Sequence, residues 1–169
     1  MIHTAALTLQ QRLPTSGEAS ALQQIETPMT PDPDTQPQFY EGVPAKRLMA
    51  WVVDTLITAA ITVAVLPFTL FLGLLILPLL YLVLGFAYRT VTLARGSATW
   101  GMRLMSIELR TRDDAPFDLP TAALHTLGYS VSLAVPLLQL VSIVMMLGTL
   151  RGQGLTDTVL GTVALNRRV

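Results

Sequence analysis

From Leu48 to Tyr88 the chain runs for 41 residues with Asp54 as its single formally charged side chain. As one helix rising 1.5 Å per residue, that run would be roughly 60 Å long, about twice the ~30 Å hydrocarbon thickness of a bilayer. One straight span is therefore excluded, and two spans joined by a tight turn fit. Pro67 interrupts helical hydrogen bonding, so Leu66-Pro67-Phe68-Thr69 is the expected turn. Helices are expected over about 46–66 and 69–89. Pro78 would kink the second, as a bundle tolerates, with Arg89 and Arg95 closing it on a basic side.

Composition fits a membrane setting. Of 169 residues, 51% are hydrophobic and 13% charged, and the mean hydropathy is +0.54. An ordinary soluble domain is about 25% charged, and a charge left in hydrocarbon costs several kcal/mol. The length allows one domain and a tail. A formal net charge of zero supplies no basic field for nucleic acid, so no nucleic-acid partner is expected. The absence of cysteine excludes disulfides, Cys-ligated zinc and thiol chemistry and leaves the redox compartment open. His3 and His125 are too few for a histidine-based metal site, and no metal or cofactor is expected.

Residues 1–44 are polar and proline-rich, and Thr27-Pro28-Met29-Thr30-Pro31-Asp32-Pro33-Asp34 cannot hold a helix or a central strand. They read as a disordered cytoplasmic tail, without the basic start and apolar run of a secretory signal. Met29 is an alternative start, and Phe39 and Tyr40 suit a membrane interface. Past the hairpin, Gly96–Gly101 has loop chemistry, Leu104–Arg110 partly alternates as a strand does, and Arg112-Asp113-Asp114 reads as a turn. Asp118 is an N-cap candidate, with Pro120 in the first turn of a third apolar segment, 121–150.

Pro136 divides that segment, which is either one tilted span or a bent pair of half-length helices. Basic residues flank the first span (Lys46, Arg47), the middle loop (Arg89 to Arg112) and the C-terminus (Arg151, Arg167, Arg168), while the 66–69 turn has none. The positive-inside rule puts all three basic segments in the cytoplasm. Two full spans return the chain inside, so the third segment must enter and leave on one side. Gly161–Asn166 has β-propensity and can pair with 104–110 only if both lie on that side; such a two-stranded sheet needs support from the bundle. The expected fold is an all-α membrane protein of the plasma (inner) membrane. It has two transmembrane helices, a Pro-bent third apolar segment, a small cytoplasmic two-stranded β element and both termini cytoplasmic.

Asp54 follows Arg47 by seven residues, two helical turns along one face and roughly 10 Å of rise. An ionised carboxylate at that depth needs a partner, for which Arg103 and Arg151 are candidates; the alternative is a neutral, protonated Asp54. Three roles stay open: a buried polar clamp, a proton or ion relay, and a contact with a partner or lipid headgroup. His125 reads as an interfacial histidine bonded to a carbonyl, or as a relay partner of Asp54. Gly73, Gly85, Gly128 and Gly148 read as close-packing positions, and Trp51 and Trp100 as packing or interfacial anchors. Gly96…Gly101 lacks the ending of a phosphate loop and follows a membrane helix.

Three motifs resemble RDD family membrane proteins. Ala45-Lys46-Arg47-Leu48-Met49-Ala50-Trp51-Val52-Val53-Asp54 looks like the family's opening. Gly96-Ser97-Ala98-Thr99-Trp100-Gly101-Met102-Arg103-Leu104 is similar to its post-helix motif, and Gly152-Gln153-Gly154-Leu155-Thr156-Asp157-Thr158-Val159-Leu160-Gly161-Thr162 to its C-terminal motif. The resemblance covers about 43–168. Trp100, Met102 and Thr158 depart from a frequent proline, lysine and arginine, which weakens anion binding at those segments. The arginine and two aspartates that name the family correspond to Arg47, Asp54 and Asp157. The resemblance implies a charge network in which one arginine serves two carboxylates, with Arg103, His125 and Arg151 as secondary members; a transport role is suggested for the family. With no Ser/His/Asp set, paired acid/base carboxylates or metal cluster, the chain reads as a non-enzymatic accessory, assembly or structural membrane protein. It would sit in the lipid bilayer as a homo-oligomer or within a larger complex. The alternative is an oligomeric transporter or ion/proton exchanger using Asp54.

Overall fold

The computed structural model describes residues 30–70 and 72–168. Two long helices form the hairpin that the apolar run requires. Helix α1, Val43–Val65, starts after Gly42 at φ +70°, with Pro44 in its first turn, where the missing N–H is not needed. Helix α2, Leu77–Gly96, ends on Ser97 in the left-handed region. Their 23 and 20 residues give lengths of about 34 and 30 Å, sufficient for a bilayer.

The buried stripe of α1 is small and polar. Ala50, Asp54, Thr58 and Thr62 recur every fourth residue and are buried, while Leu48, Met49, Val52, Leu56 and Val63 are exposed. Polar groups turned inward and hydrocarbon turned outward is the arrangement of a helix bathed in lipid. The threonines satisfy themselves along the helix: Thr58 donates to the Asp54 carbonyl and Thr62 to the Thr58 carbonyl, both at 2.8 Å.

Several boundaries differ from the sequence expectation: α2 runs on to Gly96 where an end near 89 was expected, and the strand expected from Leu104 begins at Ile107 because Trp100–Leu104 is helical. The turn is not confined to 66–69: short 3-10 segments at Leu66–Thr69 and Leu72–Leu74 extend it, and α2 begins only at Leu77. Pro78 therefore opens α2 instead of kinking it, because proline fits the first helical turn far better than the interior. As a result Arg89 is buried within α2 rather than closing it.

After α2, the short helix α3 (Trp100–Leu104) leads into strand β1, Ile107–Thr111. Helix α4, Leu119–Ala134, is capped by Asp118, whose carboxylate accepts from the Thr121 N–H at 2.9 Å. Helix α5, Pro136–Gly148, continues it at a bend of 115°. Val135 is extended there (φ −114°, ψ 99°), as a residue before proline prefers. The third apolar segment is thus a bent helix pair: α1 and α2 are each able to span a membrane, and this pair is a third candidate by length and composition. Helix α6, Leu155–Leu160, ends on Gly161 at φ +64° and delivers strand β2, Thr162–Asn166.

Strands β1 and β2 pair antiparallel, with Ile107 opposite Asn166 and Leu109 opposite Ala164. The sheet lies at the end of the hairpin where α1 begins and α2 ends, and there the chain has its hydrophobic core: Val43, Ala50, Leu93, Ala98, Met102, Ile107, Leu109, Phe117, Ala122 and Ala164. Residues 30–42 join this end, where a detached tail was expected to run through residue 44. The Thr30 N–H donates to the Arg112 carbonyl, the Tyr40 hydroxyl to the Pro31 carbonyl, and the Asn166 amide to the carbonyls of Gln38 and Glu41. Buried Tyr40 packs with Val163 and Leu165 of β2, which explains why proline-rich chain is held there. The rest of the tail expected over 1–44, residues 1–29 with Met29 and His3, lies outside the described residues.

Candidate functional site: two buried carboxylate clusters

Asp54 and Asp157 each sit at the centre of a separate buried cluster. Asp54, 4% exposed, accepts from the Tyr88 hydroxyl at 2.7 Å, the Thr99 hydroxyl at 2.6 Å and the Gly101 N–H at 2.9 Å. Its cation is Arg89, with Nη1 3.6 Å from Oδ2. Every one of these groups arrives from α2 or the segment just beyond it. Thr99 also caps α3, where its hydroxyl accepts from the Met102 N–H. Gly101 is required for close approach: a Cβ there would stand 2.2 Å from the Ala50 carbonyl oxygen and 2.9 Å from Asp54 Oδ1. The Tyr88 hydroxyl accepts in turn from the Trp100 N–H. Arg89 lies 4.0 Å over the Tyr129 ring, tying the cluster to α4.

Asp157, 1% exposed, receives Arg47 Nη1 at 2.5 Å and the Gly154 N–H at 3.0 Å on one oxygen. The other meets His125 Nε2 at 2.9 Å and the Thr162 hydroxyl at 3.2 Å. These groups come from α1, α4, the start of α6 and β2, so the cluster fastens the C-terminal segment to the first helix. Burial pushes the Asp157 carboxyl up, but the Arg47 guanidinium and the His125 contact outweigh it and hold the group well below the usual carboxylate range. The Phe117 ring meets the buried His125 imidazole edge-on, centroids 5.4 Å apart.

The expected set Arg47–Asp54–Asp157 is thus divided. Arg47 meets Asp157, and Asp54 takes Arg89. Two turns of rise along α1 separate Arg47 from Asp54, and each faces a different returning segment. His125 meets Asp157 rather than a backbone carbonyl or Asp54. Arg103 is not a partner of Asp54; its guanidinium stacks over Trp100 at 5.1 Å and lies above Gly96. Arg151 is half-buried and forms no ion pair among the described residues. Gly85 faces Thr58, and Gly128 faces Thr156 across the α4–α6 contact, both at packing distance, but Gly148 has open space around it and is no packing position.

Sequence reasoning missed Tyr88, Arg89, Thr99 and Gly101 as members of the Asp54 cluster. A signal existed for the first two: folding the apolar run about a turn centred near residue 71 places 88 and 89 level with 54.

The RDD family model matches residues 42–161, a stretch that contains the whole Asp54 cluster and, of the Asp157 cluster, all but Thr162. The chain belongs to the RDD family. It is accordingly a membrane protein, with α1 and α2 as its candidate spans and the bent pair as a third. Searches of curated proteins and of solved structures return no match to this RDD chain.

Proposed function

We propose that this RDD protein is a non-enzymatic accessory, assembly or structural protein of the plasma membrane, in which the two carboxylates act as clamps. The observation that carries this reading is the filled shell of Asp54: three hydrogen-bond donors and a guanidinium already surround it. A carboxylate has about four acceptor positions. A carrier must exchange partners as it cycles, whereas a clamp keeps them. The Asp157 cluster has the same character and joins four segments. In this reading both clamps lie at the cytoplasmic end, where the basic residues gather.

Mild-detergent extraction followed by native mass determination tests it. A stoichiometric larger complex is the expected result; a lone RDD chain of monomer mass would sink the assembly role. A second reading, an oligomeric transporter or ion/proton exchanger, is favoured by a cavity of about 220 Å³ that has Asp54 and Arg89 on its wall. Proteoliposome flux that disappears in Asp54→Asn at unchanged expression and folding would establish transport in place of the clamp role.

A further inference from the structure

The same cavity opens between α1, α2 and α4, and its chemistry is asymmetric. Arg89, 9% exposed, lines it, and none of the described residues accepts a hydrogen bond from its buried Nε. Its nearest carboxylate oxygen, on Asp54, is 3.6 Å from Nη1, beyond hydrogen-bond length, and that carboxylate is already occupied by three other donors. A guanidinium carries five N–H donors, and buried donors demand acceptors. The Tyr129 ring underneath fixes the guanidinium in place. The Tyr129 oxygen already accepts from Trp51 Nε1, which leaves its own O–H free to donate. The remaining wall is largely apolar, with Leu82, Phe86 and Leu133.

We propose that this cleft binds the phosphate headgroup of an anionic lipid, with Arg89 and Tyr129 on the phosphate and the apolar wall against the acyl chains. Three features select that class. The planar guanidinium fork matches phosphate oxygens. Three of the roughly four acceptor positions of Asp54 are engaged, so it offers little to a cation. The depth also fits: Arg89 lies seven residues before the end of α2, roughly 10 Å along the helix, within reach of the headgroup region. Asp54 neutralises part of the Arg89 charge, which favours a single phosphate over a highly charged polyanion.

The test uses the purified full-length chain in detergent, titrated with dioleoyl phosphatidic acid, with dioleoylglycerol and with inorganic phosphate. Native mass spectrometry reads retention and a thermal scan reads stabilisation. The phosphatidic acid should be retained about tenfold more strongly than dioleoylglycerol, the worth of one charge-assisted hydrogen bond, and should raise Tm. Inorganic phosphate should do neither. Arg89→Gln should abolish the difference between the two lipids. Ser130→Phe occupies the cleft while keeping Arg89 and the Asp54 donors in the chain, and it should abolish it as well, which decides the matter where Arg89→Gln does not fold. Equal retention of the two lipids would overturn the proposal. So would stabilisation by inorganic phosphate to the same degree, or a folded Ser130→Phe that holds the phosphatidic acid like the unaltered chain.

Discussion

Asp157 and Asp54 use the same principle, a buried charge surrounded by donors, but they answer to different changes. Asp157→Asn keeps the shape of the side chain and strands the Arg47 guanidinium, which is its closest contact. Breaking a buried pair from one side typically costs about 3–5 kcal/mol, so Tm in detergent should fall by many degrees, and an unchanged thermal scan would rule out the clamp. The pH response follows from the depressed folded-state value of the Asp157 carboxyl. Its contribution is fully present above the unfolded value of about 3.9 and is lost as pH falls below that toward the folded value. A Tm series from neutral to acid pH should therefore drop more steeply below about pH 4 in the unaltered chain than in Asp157→Asn. Gly101→Ala addresses the other cluster. The added methyl would overlap the Ala50 carbonyl and press on Asp54, so α3 must move away from α1. Overpacking of this kind costs about 1–3 kcal/mol, and losing the Gly101 N–H to Asp54 adds to it. A thermal scan of Gly101→Ala matching the unaltered chain would remove Gly101 from the site.

At the scale of elements, prolines decide where helices begin. Pro44, Pro78 and Pro136 each stand in the first turn of a helix, and Pro136 does so at the 115° bend. Replacing it with alanine lifts the restriction that keeps Val135 extended. The α4–α5 pair should then populate straighter forms, and spin labels at the exposed positions Leu124 and Val144 should move apart toward the roughly 30 Å that twenty helical residues span. An unaltered distance distribution would show that packing against α6, not proline, holds the bend. The same prolines mark what could be read in advance. Two spans, a Pro-divided third segment and the pairing of the 104–110 region with the 161–166 region are legible, the strands themselves being 107–111 and 162–166, because run length, bilayer thickness and strand alternation are local quantities. The start of α2 is not, since Pro78 reads as a kink, and that displacement of about eight residues, from about 69 to Leu77, hides Arg89 as the partner of Asp54. Thr99 and Gly101 reach Asp54 from a loop, where no periodicity reports position. The stripe Ala50–Asp54–Thr58–Thr62 was readable at its spacing of four, and it marks the face on which the cluster forms.

At the scale of the whole molecule, the strand pair sets the topology. Because β2 pairs with β1, and β1 follows the end of α2, the bent helix pair must leave and return to one end of the hairpin. Lys46 reinforces this by donating from α1 to the Asn166 side chain at the end of β2, 2.7 Å away. The opposite end is the apolar turn, with Phe68, Leu70 and Leu75 exposed and no charge to hold it on a basic side. Joined to the positive-inside rule, this arrangement predicts that the C-terminus and the segment between α2 and α4 face the cytoplasm and the turn faces away. The sequence contains no cysteine, so single-cysteine reporters need no background removal. An impermeant thiol reagent should reach Val169→Cys and Asp113→Cys only in inside-out vesicles, and Phe68→Cys only in intact cells. Opposite labelling of Val169→Cys and Asp113→Cys would mean that the bent pair crosses the bilayer. Such a crossing would separate β2 from β1 and pull Asp157 away from Arg47, so the loss of the two-stranded sheet and of the Asp157 cluster would have to accompany it.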